Sequence, residues 1–123
     1  MTLEVSGKII RELDGTGLAN FRMEIFAIDQ LLFEKMIGET NSNESGEFRV
    51  YFDDKDFLEK FGDGYGIYLV IYNPKNVLIS HGRYDQLGKI QWSAKNLVEF
   101  DLRVSIELEN KDPIKWDSLF KRD

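Results

Sequence analysis

A chain of 123 residues with no cysteine and one histidine fits a single domain and excludes disulfides and thiolate zinc sites. At this size roughly two-thirds of the unfolded chain's surface is buried on folding, and 42% hydrophobic with 13% aromatic residues supplies the core without staples. A formal charge of −6 without a basic cluster excludes phosphate neutralisation as a binding mode, so no nucleic-acid partner is expected.

Leu3, Val5, Gly7 and Ile9 alternate with Glu4, Ser6 and Lys8, the period-two pattern of a half-buried strand. The same charged residues, with Arg11, interrupt the place where a secretion signal would need an apolar stretch. No apolar run reaches membrane-spanning length. The expectation is therefore a cytoplasmic chain with no membrane partner, and the lack of cysteine fits a reducing compartment.

Asp14-Gly15-Thr16-Gly17 is turn chemistry, because Gly accepts positive φ and Asp bonds its own backbone. The next strand sets Phe21, Met23, Ile25 and Ala27 on one face. Its other face ends in Phe26 and Ile28, apolar where a solvated face would be polar, so a loop or a partner is expected to cover them. Residues 29–36 read as a connector whose Leu31, Leu32 and Phe33 pack against the sandwich, and residues 37–40 begin a third strand. A turn at residues 41–46 then leads into Phe48, Val50 and Phe52. Gly46 is expected in a left-handed or bulge conformation, with Phe48 starting the buried face.

Phe57, Leu58 and Phe61 at helical spacing predict one short helix within residues 53–62, capped by Asp53 or Asp54 and closed by Gly62. The run I-Y-L-V-I-Y at residues 67–72 is apolar on both faces, the mark of a central strand. Asn73-Pro74-Lys75-Asn76 turns the chain into a hairpin partner at residues 77–80. Residues 82–96 have weak periodicity. Val98, Phe100, Leu102, Val104 and Ile106 alternate cleanly with Glu99, Asp101, Arg103 and Ser105. The elements predict an all-β, seven- or eight-stranded antiparallel Greek-key sandwich over residues 1–109, with a barrel as the topological alternative, followed by a tail over residues 110–123.

The ordered set G-K-I-I-R-E, D-G-x-x-L-A-N-F-x-M-x-I-F and G-E-T-N-S-N-E-S-G-E-F-R-V resembles the transthyretin-like, or prealbumin-like, β-sandwich superfamily. Carboxypeptidase regulatory-like domains belong to that group. Val5, Gly7, Ile9, Asp14, Gly15, Leu18, Asn20, Gly46 and Phe48 match its pattern by type, over about the first three-quarters of the chain. Thr16-Gly17 departs from it where Pro is usual, and Asn41-Ser42 where Thr-Asp is usual. The resemblance implies scaffold geometry; function needs a site. The enzymes of the wider fold need residues that this chain lacks. Hydroxyisourate hydrolases use several histidines and a C-terminal Y-R-G-S, and intradiol dioxygenases bind iron through two Tyr and two His, whereas His81 is the single histidine here and the chain ends F-K-R-D. No enzyme activity, cofactor or metal is expected.

Several constellations carry two readings each. Asp53, Asp54, Asp56, Glu59 and Asp63 read as helix-capping acids ahead of a calcium loop, since their spacing is not that of an EF-hand. His81 has no nucleophile beside it and reads as structural or merely exposed. An intramolecular isopeptide would need a buried Lys, and Lys8 and Asp101 fall on the polar sides of their strands. Tyr65, Tyr84 and Trp92, in weakly patterned segments, are candidates for a glycan-stacking surface, while Tyr68 and Tyr72 belong to the core. Ile114, Trp116, Leu119 and Phe120 make the tail too apolar for a disordered end. They either dock on this domain, over Phe26 and Ile28, or bind another subunit. The functional expectation is a non-catalytic module for protein contacts or homo-oligomer assembly, with carbohydrate binding through exposed aromatics as the alternative.

Overall fold

The computed structural model describes residues 2–53, 55, 61–62, 64–92 and 96–114. Seven strands run in the order β1 (Thr2–Arg11), β2 (Arg22–Ile28), β3 (Glu34–Asn41), β4 (Glu47–Asp53), β5 (Gly66–Tyr72), β6 (Leu78–His81) and β7 (Leu97–Val104), followed by the one-turn helix α1 (Ile106–Glu109). They form a three-stranded sheet, β4-β1-β7, facing a four-stranded sheet, β3-β2-β5-β6. The strand alternation places the core. Leu3, Val5 and Ile9 of β1, Met23, Ile25 and Ala27 of β2, and Val98, Phe100, Leu102 and Val104 of β7 are all buried in one cluster between the sheets.

β4 returns beside β1 after the β2–β3 hairpin has been laid in the other sheet, which is the Greek-key connection. One pairing departs from the antiparallel expectation: β7 runs parallel to β1, from Glu4↔Leu97 to Arg11↔Val104. No hairpin precedes β7, because the chain arrives from the far sheet and enters at the same end as β1. The alternation of β7 reports burial on one face and carries no information on direction.

The turns read from the sequence lock the upper end of the sandwich. Gly46 sits at φ +79°, and an added Cβ would stand 2.3 Å from the Ile9 carbonyl oxygen. The buried Ser42 hydroxyl donates to Leu18 O at 2.6 Å and accepts from Phe21 N–H at 3.1 Å, joining the β1–β2 and β3–β4 connections. Asn73 accepts from Lys75 N–H and Val77 N–H, which closes the β5–β6 turn. Its amide group also donates to Leu108 O and Lys111 O, tying the chain after α1 to that turn.

Two local expectations are overturned. The last strand stops at Val104: Ser105 takes extended geometry and its hydroxyl accepts from Leu108 N–H at 3.2 Å, so Ile106 starts α1 instead of ending β7. Residues 29–36 are not a packed connector. β3 begins at Glu34, and Leu31, Leu32 and Phe33 stand at a tight hairpin tip, 79%, 51% and 67% exposed. The short helix predicted within residues 53–62 falls mainly on residues outside those described.

Candidate recognition surface

β5 is buried on both faces, and its outer face needs a third layer. Ile28, Tyr68 and Val70 form a second buried cluster there, with Phe26, Tyr72 and Ile90 packed around it. The cover for Phe26 and Ile28 is thus the segment after β6, the region of weak periodicity. Gln91 exchanges both backbone hydrogen bonds with Ile67, so this segment continues the sheet where β6 stops.

Between the two, residues 82–88 make an Ω-shaped excursion closed on a single residue. Gly82 N–H donates to Leu69 O at 2.8 Å, and Leu69 N–H donates to Gly88 O at 3.0 Å. A Cβ on Gly82 would lie 2.1 Å from Gly88 O, so the neck of the loop admits no side chain at that position. Asp85 braces the inside: its Oδ1 lies 2.5 Å from the Ser80 hydroxyl, and its Oδ2 accepts from His81 N–H at 2.8 Å. These three residue types form no proton relay, because Asp85 contacts the His81 backbone and not the imidazole. The Ser80 hydroxyl is itself buried.

A stack of rings crosses the outer face of the sheet and ends on the loop. Phe26 and Tyr68 are nearly parallel with centroids 5.1 Å apart, His81 stacks on Tyr68 at 5.4 Å, and Tyr84 leans on His81 at 4.8 Å. Tyr84 ends the stack 77% exposed. Below it, Glu34 accepts from the Tyr68 hydroxyl and from Arg83 Nη1, the latter at 3.0 Å. Burial first, and the bond to Glu34 second, hold the Tyr68 hydroxyl well above its ordinary pKa of 10. Further up the sheet the Arg22 guanidinium lies 4.0 Å over the Tyr72 ring, and Tyr72 donates to Glu24 at 3.0 Å. Burial and that bond raise the Tyr72 pKa as well.

Of the residues singled out from the sequence, Phe26, Tyr84 and Trp92 share this region. Trp92 is 42% exposed and lies against Gly66, beside Ile28 in the register. Tyr65 is corrected: it is buried in the main core and not available as a contact. Ile28 is covered by the third layer, the loop alternative of the two read for it. Ile114 is exposed, and Trp116, Leu119 and Phe120 lie outside the described residues. Arg83, Glu34 and His81 were not anticipated in this surface. The signal available for them was R-Y-D-Q-L bracketed by Gly82 and Gly88.

Among the described residues no group of three or more His, Cys, Asp or Glu is placed to hold a metal ion. Of the predicted acidic group, Asp53 accepts from Lys55 N–H at 3.1 Å, a capping bond, and the others lie outside the described residues. Lys8 and Asp101 are register partners, yet both are exposed, unlike the buried pair that an isopeptide needs. They line an open polar trough of about 790 Å³ on the three-stranded sheet, with Glu47, Arg49 and Glu99.

No protein-family model matches the chain, and no curated protein sequence matches it. Solved structures do. A 9R-lipoxygenase from Cyanothece PCC8801 superposes with a TM-score of 0.54 at 14% identity, covering 93% of this chain and 18% of that one. The chain therefore spans about a fifth of the lipoxygenase. A 3-chlorocatechol 1,2-dioxygenase from Rhodococcus opacus 1CP gives 0.42 at 14% identity, over 85% of this chain and 58% of that one. The C-terminal domain of the shaft pilin SpaA from Lactobacillus rhamnosus GG gives 0.45 at 12% identity, over 85% and 98%. Such likeness defines a β-sandwich and no activity. Among the described residues no helix is long and apolar enough to cross a membrane.

Proposed function

We propose that this domain is a non-catalytic module of the transthyretin-like group that makes protein contacts through the ring stack ending in Tyr84. One observation carries the reading: Tyr84 is 77% exposed on a loop whose two ends bond the same residue, Leu69. A rigid aromatic presented this way loses little conformational freedom on binding, the property that makes Tyr frequent among dominant interface residues. Gly15 and Gly46, both at positive φ, stand where the group's turn pattern has glycine and support the family reading.

The C-terminal segment supplies a second, separate contact element in this reading. Residues 110–112 are held at the β5–β6 turn, where Lys75 bonds Asn110 O and the Asp112 carboxylate, and the sequence after them contains Ile114, Trp116, Leu119 and Phe120. Sedimentation velocity across a micromolar concentration series tests both parts. Self-association is expected for the full chain, with loss on Tyr84→Ala and on deletion of residues 112–123. A chain that is monomeric throughout, with both variants unchanged in mass and melting temperature, removes the reading. Exposed Tyr84 and Trp92 also support carbohydrate stacking as the alternative. A monomer that binds specific glycans on an array, and loses them on Tyr84→Ala, would establish that one instead.

A further inference from the structure

The hairpin tip at residues 29–33 is a separate surface at the lower end of the sandwich. It holds three consecutive large apolar side chains away from any core. It also holds Leu32 at φ +69°, a conformation that Gly or Asn adopts at lower cost. A sequence that needed only a turn here would carry neither feature. The outlier and the exposure together point to a use.

We propose that Leu31, Leu32 and Phe33 insert into the interfacial layer of a lipid bilayer with zwitterionic headgroups. The backbone of the tip suits an apolar phase. Asp29 Oδ1 accepts from Leu31 N–H and Phe33 N–H, both at 2.9 Å, while Leu32 N–H donates to Asp29 O and Asp29 N–H donates to Phe33 O. The amides that carry the three apolar side chains are therefore already paired inside the loop. An apolar phase penalises every unpaired peptide group by several kcal/mol, and this tip enters with its three N–H groups and the Phe33 carbonyl already satisfied. Gln30 fixes the loop to the body by donating to Gly64 O at 2.8 Å, so the tip is presented and does not have to fold.

Area decides the occupant. A stable protein interface needs about 800 Å² per partner, and even a Phe buries only about 150–250 Å². Three side chains on a convex tip fall short of a folded partner. A fluid apolar layer requires no matching surface, and lipid binding scales directly with the apolar area inserted. Charge selects the headgroup. At this end Glu34 is paired with Arg83, and Asp29 and Asp53 are offset by the exposed Lys35 and Lys55. No basic cluster among the described residues draws anionic headgroups, and the whole chain carries −6, so they are disfavoured. The expectation of no membrane partner rested on the lack of a spanning run, which an inserted tip does not need.

The test is co-sedimentation of the full chain with phosphatidylcholine vesicles, with and without phosphatidylserine. Binding is expected on pure phosphatidylcholine and weaker binding once phosphatidylserine is added. Leu31→Ser and Phe33→Ser should each weaken it roughly tenfold. Leu32→Asn should weaken it while leaving the melting temperature unchanged or raised, because Asn tolerates the left-handed conformation. In a Phe33→Trp variant, lipids brominated on the acyl chain should quench fluorescence. No binding to phosphatidylcholine, binding untouched by the three tip variants, or a preference for phosphatidylserine would each overturn the proposal. So would tip variants that change only self-association in solution, which would assign the tip to a protein contact. Loss of the Tyr84 contact leaves vesicle binding in place, so the two surfaces fail independently.

Discussion

Replacing Gly46 by Ala puts a methyl group where backbone already stands. The added Cβ would sit 2.3 Å from Ile9 O, 2.8 Å from Leu18 N and 3.0 Å from Gly17 Cα. None of these atoms lies at the free end of a side chain, so the two upper connections must separate. Two hydrogen bonds run through the contact: Ile9 N–H to Gly46 O at 2.7 Å, and Leu18 N–H to Ile9 O at 2.9 Å. Weakening both costs about 1–3 kcal/mol. Holding an L-residue in the left-handed region adds about 1–2 kcal/mol. The stiffer unfolded chain returns about 0.4–1 kcal/mol. The net destabilisation is about 1–5 kcal/mol, a large share of a typical domain stability of about 5–15 kcal/mol.

Gly15 is the internal control. It shares the positive φ, at +74°, but a Cβ there meets nothing within 4 Å. Gly15→Ala therefore costs only the conformational part, about 1 kcal/mol. Urea unfolding followed by far-ultraviolet circular dichroism measures both variants, with an unchanged m-value required for the comparison. If Gly46→Ala proves no more destabilising than Gly15→Ala, the packed contact between the two connections is not what the glycine provides, and the reasoning fails.

Acid stability should depend on Glu109. Its pKa is held below the ordinary 4.5 by its bond to Arg11, which donates Nη2–H to Oε1 at 2.7 Å. The folded state thus binds this proton less readily than the unfolded chain, so the stabilisation is complete above about pH 4.5 and fades as pH falls below it. Melting temperatures from pH 3 to 7 should show a steeper acid limb for the parent than for Glu109→Gln. Tyr68 titrates with the opposite consequence. Its raised pKa means that the unfolded chain ionises first, so its contribution is complete below about pH 10 and is lost as pH rises beyond it. Tyr68→Phe should flatten the alkaline limb of the same profile; an unchanged slope above pH 10 would refute the assignment.

The two-sheet scaffold was legible because burial on one face writes itself as period two, and because Gly15, Gly46 and Asn73 sit where the backbone demands them. What was not legible depends on contacts distant in sequence. The direction of β7 is one case, since V-E-F-D-L-R-V alternates identically whether its neighbour runs with it or against it. The tip at residues 29–33 is another. L-L-F reads as core on composition, and only the two bonds to one carboxylate oxygen of Asp29 show that the segment is too tight to fold back. Tyr65 misled for a related reason. It lies in an unpatterned stretch next to β5, and an aromatic there is buried by its neighbours in space and not by a local period.

The doubly apolar β5 explains why the candidate surface lies where it does. A sheet face lined by Phe26, Ile28, Tyr68 and Val70 cannot be left to water, and β6 lies beside β5 in the same sheet and so does not cover it. The chain solves this by carrying residues 82–92 back over the face, using Ile90 as the filler and the Arg83–Glu34 pair as the clasp at 3.0 Å. Tyr84 is the part of that cover left pointing outward. The segment with the weakest pattern is thus both the lid of the second apolar cluster and the mount of the exposed ring. Loosening the clasp with Arg83→Ala should reduce stability and Tyr84-dependent contacts together, whereas Tyr84→Ala should affect the contacts alone.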